Sequence, residues 1–121
     1  MARVLKPDGT FLTQQVGGLD CIELCEALGS VRTQHLPSLD DCAQQIASGG
    51  LEIVDAREAF SAKTFLDIGA ILYYVLAIPW AFVGFSLETH RDTLREIHER
   101  TVRDGGFTVH EHRLLFEARK P

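Results

Sequence analysis

Residues 1–16, MARVLKPDGTFLTQQV, decide how the fold of this chain is interpreted. A short helical end at 3–6 runs into a proline-aspartate-glycine sequence at 7–9, and these residue types favour a tight turn. The segment Thr10–Val16 that follows is rich in β-branched and aromatic residues and is closed by two glycines. We therefore predict a turn that leads directly into a strand.

Length and composition are those of an ordinary globular protein. The 121 residues are 45% hydrophobic and 24% charged, with a net charge of -5, which indicates a single domain over 1–121. No cluster of basic residues alternates with aromatic ones, so we expect no nucleic-acid binding. The odd cysteine count (Cys21, Cys25 and Cys42) and the lack of a cleavable leader pattern favour a reducing, cytoplasmic location.

The order of apolar patterns predicts strands separated by helices, which is an α/β arrangement. Within it, Asp20 and Ser86 are expected to cap helices, Ser38 is expected to form a capping box with Asp41, and Val102 is expected on the inner face of its helix. The predicted helices are Asp20–Leu28, 38–49, Phe65–Ile78 and Leu87–Arg103, and the strands after the first are Leu51–Ala56 and Phe107–Ala118.

One segment, Ile68–Phe85, carries no charged residue over roughly the length of a membrane span. Pro79 interrupts it, and no basic cluster flanks it to set an orientation in a bilayer. We therefore expect no membrane insertion, and predict a buried helix or an oligomer surface instead.

Three phrases of the sequence resemble class I S-adenosylmethionine (SAM)-dependent methyltransferases. RVLKPDGTFL at 3–12 resembles the R-x-L-K-P-G-G turn and fifth strand of that family. FLDIGAILYYVLAIPW at 65–80 is similar to a segment of one bacterial branch, and LFEARKP at 115–121 is similar to the final strand of that branch. The phrases occur in the family's order and cover the whole chain.

The resemblance implies a specific architecture. Thr10–Val16, Leu51–Ala56 and Phe107–Ala118 would correspond to the family's fifth, sixth and seventh strands. The expected fold is α/β, a small three-stranded mixed sheet in the order first-last-middle, with the last strand antiparallel and helices on its faces. This is the C-terminal half of a Rossmann-like methyltransferase fold.

The cofactor-binding phrases of that family are absent from the sequence. No G-x-G-x-x-G string occurs, and the opening phrase, which follows the SAM-binding half in the family, stands here at residue 3. We expect a C-terminal methyltransferase-like fragment. The intact enzyme would transfer a methyl group from SAM to a small acceptor, whereas this chain would bind SAM weakly or not at all and would be inactive alone. The alternative is a non-catalytic dimeric binding or scaffold module derived from the same fold.

Five residues are candidates for the substrate side, and none is assigned a catalytic or cofactor-binding role. Tyr73, Tyr74 and Trp80 lie in the segment that helps to cover the acceptor pocket in the resembled family, although packing in a core or an oligomer interface is the interpretation we favour. Gln14 and Gln15 lie at the carboxyl end of the first strand, where open α/β sheets bind ligands, or they bond to loop backbone.

Other polar residues have weaker patterns. His110 and His112 are two apart on a strand and would need further ligands to hold a metal, so we predict no metal site. His35 could act as a general base in an intact enzyme. Asp67 is interpreted first as a charge favoured at a helix N-terminus.

Two apolar features predict self-association. The edge of Thr10–Val16 would lack its neighbouring strand, and an unpaired edge favours pairing with another chain. The helix Phe65–Ile78 carries more apolar surface than three strands can cover. We expect a homodimer that buries one or both.

Overall fold

A computed structural model describes residues 2–30 and 37–121. A 3₁₀ turn at Ala2–Val4 precedes the first strand, and a second at Pro79–Ala81 follows the third helix. The main elements, in chain order, are β1 (Thr10–Val16), α1 (Ile22–Ala27), α2 (Leu39–Ser48), β2 (Glu52–Phe65), α3 (Ile68–Ala77), α4 (Arg91–Asp104) and β3 (Phe107–Arg119).

The turn before β1 fixes the start of the sheet. Asp8 has a φ of 64°, a left-handed conformation that aspartate tolerates better than most residues. The Asp8 N–H donates to the Lys120 carbonyl at 2.9 Å, and the Lys120 N–H donates to the Gly9 carbonyl at 3.0 Å. These bonds start an antiparallel pairing that runs from Thr10 opposite Arg119 to Val16 opposite Arg113.

The sheet has the order β1-β3-β2, so the last strand lies between the other two as predicted. The contacts between β2 and β3 run in opposite directions along the chain, from Glu52 with Arg119 to Thr64 with Thr108. Both neighbouring pairs are therefore antiparallel. The parallel relation expected of a mixed sheet exists only between β1 and β2, which do not pair.

The chain consists of two compact units. The first comprises Met1–Asp20, Leu36–Phe60 and His112–Pro121. Its core is small, because α2 covers β3 with one apolar stripe. The buried members are Cys42, Leu114 and Phe116, and Leu39, Ala43, Ile46 and Ile53 pack against them.

The second unit comprises Cys21–His35 and Ser61–Glu111. Its core is larger and joins α1, α3 and α4 to the ends of β2 and β3 that belong to this unit. The buried residues are Cys21, Leu24, Cys25, Leu28, Phe65, Ile71, Val75, Phe82, Leu94, Ile97, Phe107 and Val109.

Several element boundaries differ from the predicted ones. β2 continues to Phe65, well beyond the predicted end at Ala56. α4 begins at Arg91 and not at Leu87, because the Ser86 hydroxyl accepts from the Thr89 N–H at 3.1 Å and caps a preceding turn.

The inner face of α4 also differs from the prediction. Val102 is 69% exposed, and Thr101 takes the buried position, with its hydroxyl donating to the Ile97 carbonyl at 2.7 Å. Leu94, Ile97 and Thr101 are spaced three and four residues apart, which is the spacing that keeps side chains on one helical face.

The start of α2 follows the prediction, whereas α3 begins at Ile68 and not at Phe65, because β2 continues to Phe65. The Ser38 hydroxyl and the Asp41 carboxylate form a reciprocal capping box at α2. At α3, the Asp67 carboxylate accepts from the Ala70 N–H at 2.8 Å, so this residue caps the helix. Across the described residues, no helix is both long and apolar enough to cross a membrane.

Candidate functional site

The carboxyl end of β1 is the place where the sequence predicts ligand contacts. Gln14 and Gln15 are both exposed there. The Gln15 side-chain amide donates to the Thr13 hydroxyl at 2.7 Å, which orients it along the strand. Both glutamines are therefore accessible to a bound molecule, and the loop that follows β1 is held by other residues.

That loop is held instead by His112, whose side chain is only 4% exposed. Its Nδ1 accepts from the Leu19 N–H at 3.1 Å, so the proton of the neutral ring lies on Nε2. Nε2 then donates to the Glu58 carboxylate at 2.5 Å. Because both ring nitrogens are engaged, His112 orients its neighbours and is not available to take a proton directly from a ligand.

The imidazole packs against two further residues, Phe60 and Gly17. The Phe60 ring stacks on it with centroids 4.3 Å apart and an angle of 8° between the planes. Immediately after β1, the Gly17 N–H donates to the His112 carbonyl at 2.9 Å, and a Cβ at Gly17 would overlap the His112 ring. Glycine is therefore required at this position by close packing.

Asp20 completes the cluster. Its carboxylate accepts from the His112 N–H at 2.8 Å and from the Arg113 guanidinium, which also donates to the His112 carbonyl at 3.1 Å. The prediction that Asp20 caps α1 is wrong, because this carboxylate is used on β3. Cys21 is the residue before the helix, with a φ of 50° and no capping side-chain bond.

We call Asp20, Glu58, His112 and Arg113 the His112 cluster. Within it, the Glu58 side chain is 39% exposed, so its carboxylate is both fixed by a buried imidazole and accessible to solvent. Such a group can accept a hydrogen bond from a ligand or act as a general base. The sequence analysis does not identify Glu58. The sequence does indicate that His112 is buried, because His112 and Leu114 are two residues apart on β3 and therefore point to the same face of the sheet.

A shallow pocket of about 200 Å³ adjoins β1 in the same unit. It is smaller than the pockets that enclose small-molecule ligands, which typically have several hundred Å³. Burial, and next the neighbouring Asp41 carboxylate, raise the pKa of the Cys42 thiol, which therefore stays protonated and unreactive. The lining residues are Phe11, Thr13, Gln15, Pro37, Cys42, Gln45 and Ile46.

The three aromatic candidates are separated by their exposure. Tyr73 and Trp80 are 80% and 62% exposed. Tyr74 instead packs with Phe65 and Phe82 in the core of the second unit, with ring centroids 5.3 and 6.2 Å apart. The Lys63 ammonium lies 4.2 Å from the Tyr74 ring centre, a cation–π arrangement.

The two strand histidines have different partners. His110 is half exposed, and its Nδ1 lies 2.5 Å from the Glu23 carboxylate. Partial burial alone would raise the pKa of Glu23. Hydrogen bonds from His110 and the charge of the His110 ring outweigh this effect, so the pKa of Glu23 lies below its ordinary value. No group of three or more potential metal ligands occurs within 2–30 and 37–121, and His35 lies outside these described residues.

Three glycines of the glycine pairs have local structural roles. Gly17 is packed against the His112 ring, so its open side is filled by protein. Gly49 and Gly105 are the C-cap residues of α2 and α4, which is a common use of glycine at helix ends. These three glycines therefore have structural roles in packing and at helix ends.

Comparison with solved structures identifies proteins of similar architecture. The chain matches a protein from Bacillus halodurans C-125 that is provisionally identified as a methyltransferase, with a TM-score of 0.56 and 13% identity over 99% of this chain. It spans only 55% of the length of that protein. The chain therefore has the fold of part of a methyltransferase.

A second protein, provisionally identified as a sarcosine dimethylglycine methyltransferase from Galdieria sulphuraria, aligns with a TM-score of 0.35 and 18% identity. That alignment covers 98% of this chain and 44% of the Galdieria protein. No protein-family profile matches the sequence, and no curated protein matches it.

Proposed function

We propose that the chain is the C-terminal, acceptor-side part of a class I SAM-dependent methyltransferase. The observation that carries this proposal is the central position of β3, antiparallel between β1 and β2, in a chain that aligns along 99% of its length with part of a methyltransferase fold. The opening phrase at 3–12 and the aromatic segment at 65–80 support the same assignment. The intact enzyme would transfer a methyl group from SAM to a small acceptor in the cytoplasm.

In this proposal the carboxyl end of β1 faces the acceptor. Gln15 supplies an exposed amide on the sheet face that carries His112, Gln14 supplies one on the opposite face, and Glu58 supplies a carboxylate that His112 holds in place. A carboxylate at this position could accept a hydrogen bond from the acceptor or remove its proton when the nucleophile attacks the methyl group. SAM supplies the methyl group, and residues beyond this chain would hold it.

The chain alone is then expected to bind SAM weakly or not at all and to be inactive. Isothermal calorimetry with SAM tests this, with an intact SAM-dependent methyltransferase as the positive control. We expect no saturable heat up to about 1 mM SAM, which corresponds to less than about 4 kcal/mol of binding free energy. Saturation in the low micromolar range would show that the chain contains its own cofactor site.

The second candidate function is a non-catalytic binding module that retains this fold. The observation in its favour is the large exposed apolar surface around Tyr73 and Leu76, which are 80% and 57% exposed. The size of the polypeptide in its native host separates the two candidates. An immunoblot band near 13.5 kDa favours the module, and a band about twice as large favours the methyltransferase.

A further inference from the structure

Among the described residues, Glu58 is the acidic residue of β2 that has no basic side chain paired with its carboxylate. The other two carboxylates of this strand form ion pairs with arginines, Glu52 with Arg119 at 3.1 Å and Asp55 with Arg57 at 2.8 Å. Within the described part of the chain, the Glu58 carboxylate bonds to the His112 ring only, through Oε1. Its second oxygen, Oε2, is therefore available to a ligand.

The rest of the His112 cluster does not neutralise this carboxylate. The His112 ring is neutral, because its Nδ1 accepts from the Leu19 N–H while Nε2 donates to Glu58. The Arg113 guanidinium is paired with Asp20. The cluster therefore has one negative charge in excess, and the net charge of -5 for the whole chain also favours the approach of a cation.

Phe60 places an aromatic surface beside the Glu58 carboxylate. The two residues are two apart on β2, so their side chains leave the same face of the sheet about 7 Å apart. Both contact the His112 ring, Glu58 by its hydrogen bond and Phe60 by stacking. Because Phe60 is 52% exposed, the face of its ring that points away from His112 is open to solvent. A charged group and an apolar surface are thus held a small molecule's length apart.

We propose that Glu58 and Phe60 bind a small amine in its cationic form. The ammonium group lies on the Glu58 carboxylate, and an apolar substituent packs on the Phe60 ring. His112 is a positioning residue in this site, because its buried ring holds both side chains in place and is itself covered. That the bound amine is the methyl acceptor rests on the proposed function, whereas the binding itself does not.

Charge and chemistry favour an amine over other ligands of this site. An alcohol could donate a hydrogen bond to Glu58, but it would leave the negative charge without a counter-charge. A metal ion needs several ligand groups, and within 2–30 and 37–121 no three potential metal ligands come together. An amine satisfies the carboxylate with one group, and its substituents can use the aromatic ring.

A nuclear magnetic resonance titration of the chain with three probes tests this proposal. Benzylamine, benzyl alcohol and benzoate share a phenyl ring and differ in charge. We expect benzylamine to shift the signals of Glu58, Phe60 and His112 saturably, with a Kd of about 1–10 mM, because one exposed ion pair and one ring contact are weak. Benzyl alcohol is expected to bind about threefold more weakly, and benzoate more weakly still.

Substitutions separate the two parts of the site. Glu58→Gln keeps an oxygen for the His112 Nε2–H but removes the charge, so it is expected to bind benzylamine and benzyl alcohol equally. Phe60→Leu is expected to weaken the binding of both probes alike. Glu52→Gln is the matched control, because Glu52 lies about 20 Å away on the same strand and pairs with Arg119, and it should leave the affinity for benzylamine unchanged.

Three results would overturn the proposal. They are equal affinities of the wild-type chain for benzylamine and benzyl alcohol, no saturable shifts at about 20 mM benzylamine, and a preference for benzylamine that survives in Glu58→Gln. The probes are compared on the wild-type chain, so the first two results are decisive even where a variant does not fold, which circular dichroism checks. Neither SAM nor methyl transfer enters this measurement, so its failure is distinct from a failure of the proposed function.

Discussion

His112 is the residue on which the local structure at the end of β1 depends most. Its backbone bonds to Gly17 and Asp20, and its ring bonds to Leu19 and Glu58. A buried polar side chain with both nitrogens satisfied stabilises one arrangement of the loop, since any other arrangement would leave a buried group without a partner. The exposed Glu58 carboxylate acquires a fixed position in this way.

Because Gly17 and His112 pack closely, we expect the effects of substituting these two residues on stability to be coupled. Gly17→Ala is expected to lower the free energy of unfolding by about 2 kcal/mol or more, because the new methyl group overlaps the imidazole. In a His112→Ala background the ring is gone, so the same substitution is expected to cost much less. Urea denaturation of the four proteins in this double-mutant cycle measures the difference.

Gly49→Ala is the control for that cycle. Gly49 has a φ of -78°, and an added Cβ would lie 3.4 Å from the Ile46 carbonyl oxygen, so alanine is tolerated there. A loss of stability for Gly17→Ala as small as that for Gly49→Ala, with His112 present, would show that the histidine ring does not pack against this glycine.

At the scale of elements, the sequence predicts those parts of the fold that depend on local contacts. The Ser38–Asp41 capping box is confirmed because it involves residues three apart. Asp67 is predicted only as a charge favoured at a helix N-terminus, and in the structure it caps α3 over the same separation. The far half of β2 was not predicted, because its residues are mostly exposed and show no alternation of apolar and polar residues. Pairing with β3 keeps it extended, and a partner that is distant in sequence leaves no local pattern.

The same reasoning explains why the candidate site was only partly predicted. Gln14 and Gln15 were accessible to sequence reasoning because they end a well-defined strand. Glu58 was not, because it lies in that half of β2, and its contact with His112 joins residues 54 apart in sequence. Asp20 was assigned to a helix cap, since nothing local shows that its carboxylate bonds to β3 instead.

The Asp67 cap gives a prediction at this scale. Asp67→Ala is expected to lower the free energy of unfolding by about 1 kcal/mol, because the Ala70 N–H at the start of α3 loses its acceptor. Asp67→Asn keeps an oxygen in place and is expected to retain most of the stability. Thermal or urea unfolding compares the two variants, and an equal loss in both would contradict a capping role based on the hydrogen bond.

At the scale of the whole molecule, the order of the strands says more about the fold than any single residue does. Because β3 lies between two earlier strands, it supplies hydrogen bonds on both of its edges, while among the described residues β1 pairs with β3 alone. In the Bacillus halodurans protein, 45% of the length has no counterpart in this chain. The proposed function assigns SAM binding to such a missing part, and the acceptor side to the residues at the end of β1.

The most direct test of this account is the strand order in solution, measured by nuclear Overhauser effects between backbone protons. We expect contacts between Thr13 and Phe116 across β1 and β3, and between Thr64 and Thr108 across β2 and β3. Direct backbone contacts between β1 and β2, with β3 at the margin of the sheet, would contradict the methyltransferase fold and the function proposed from it.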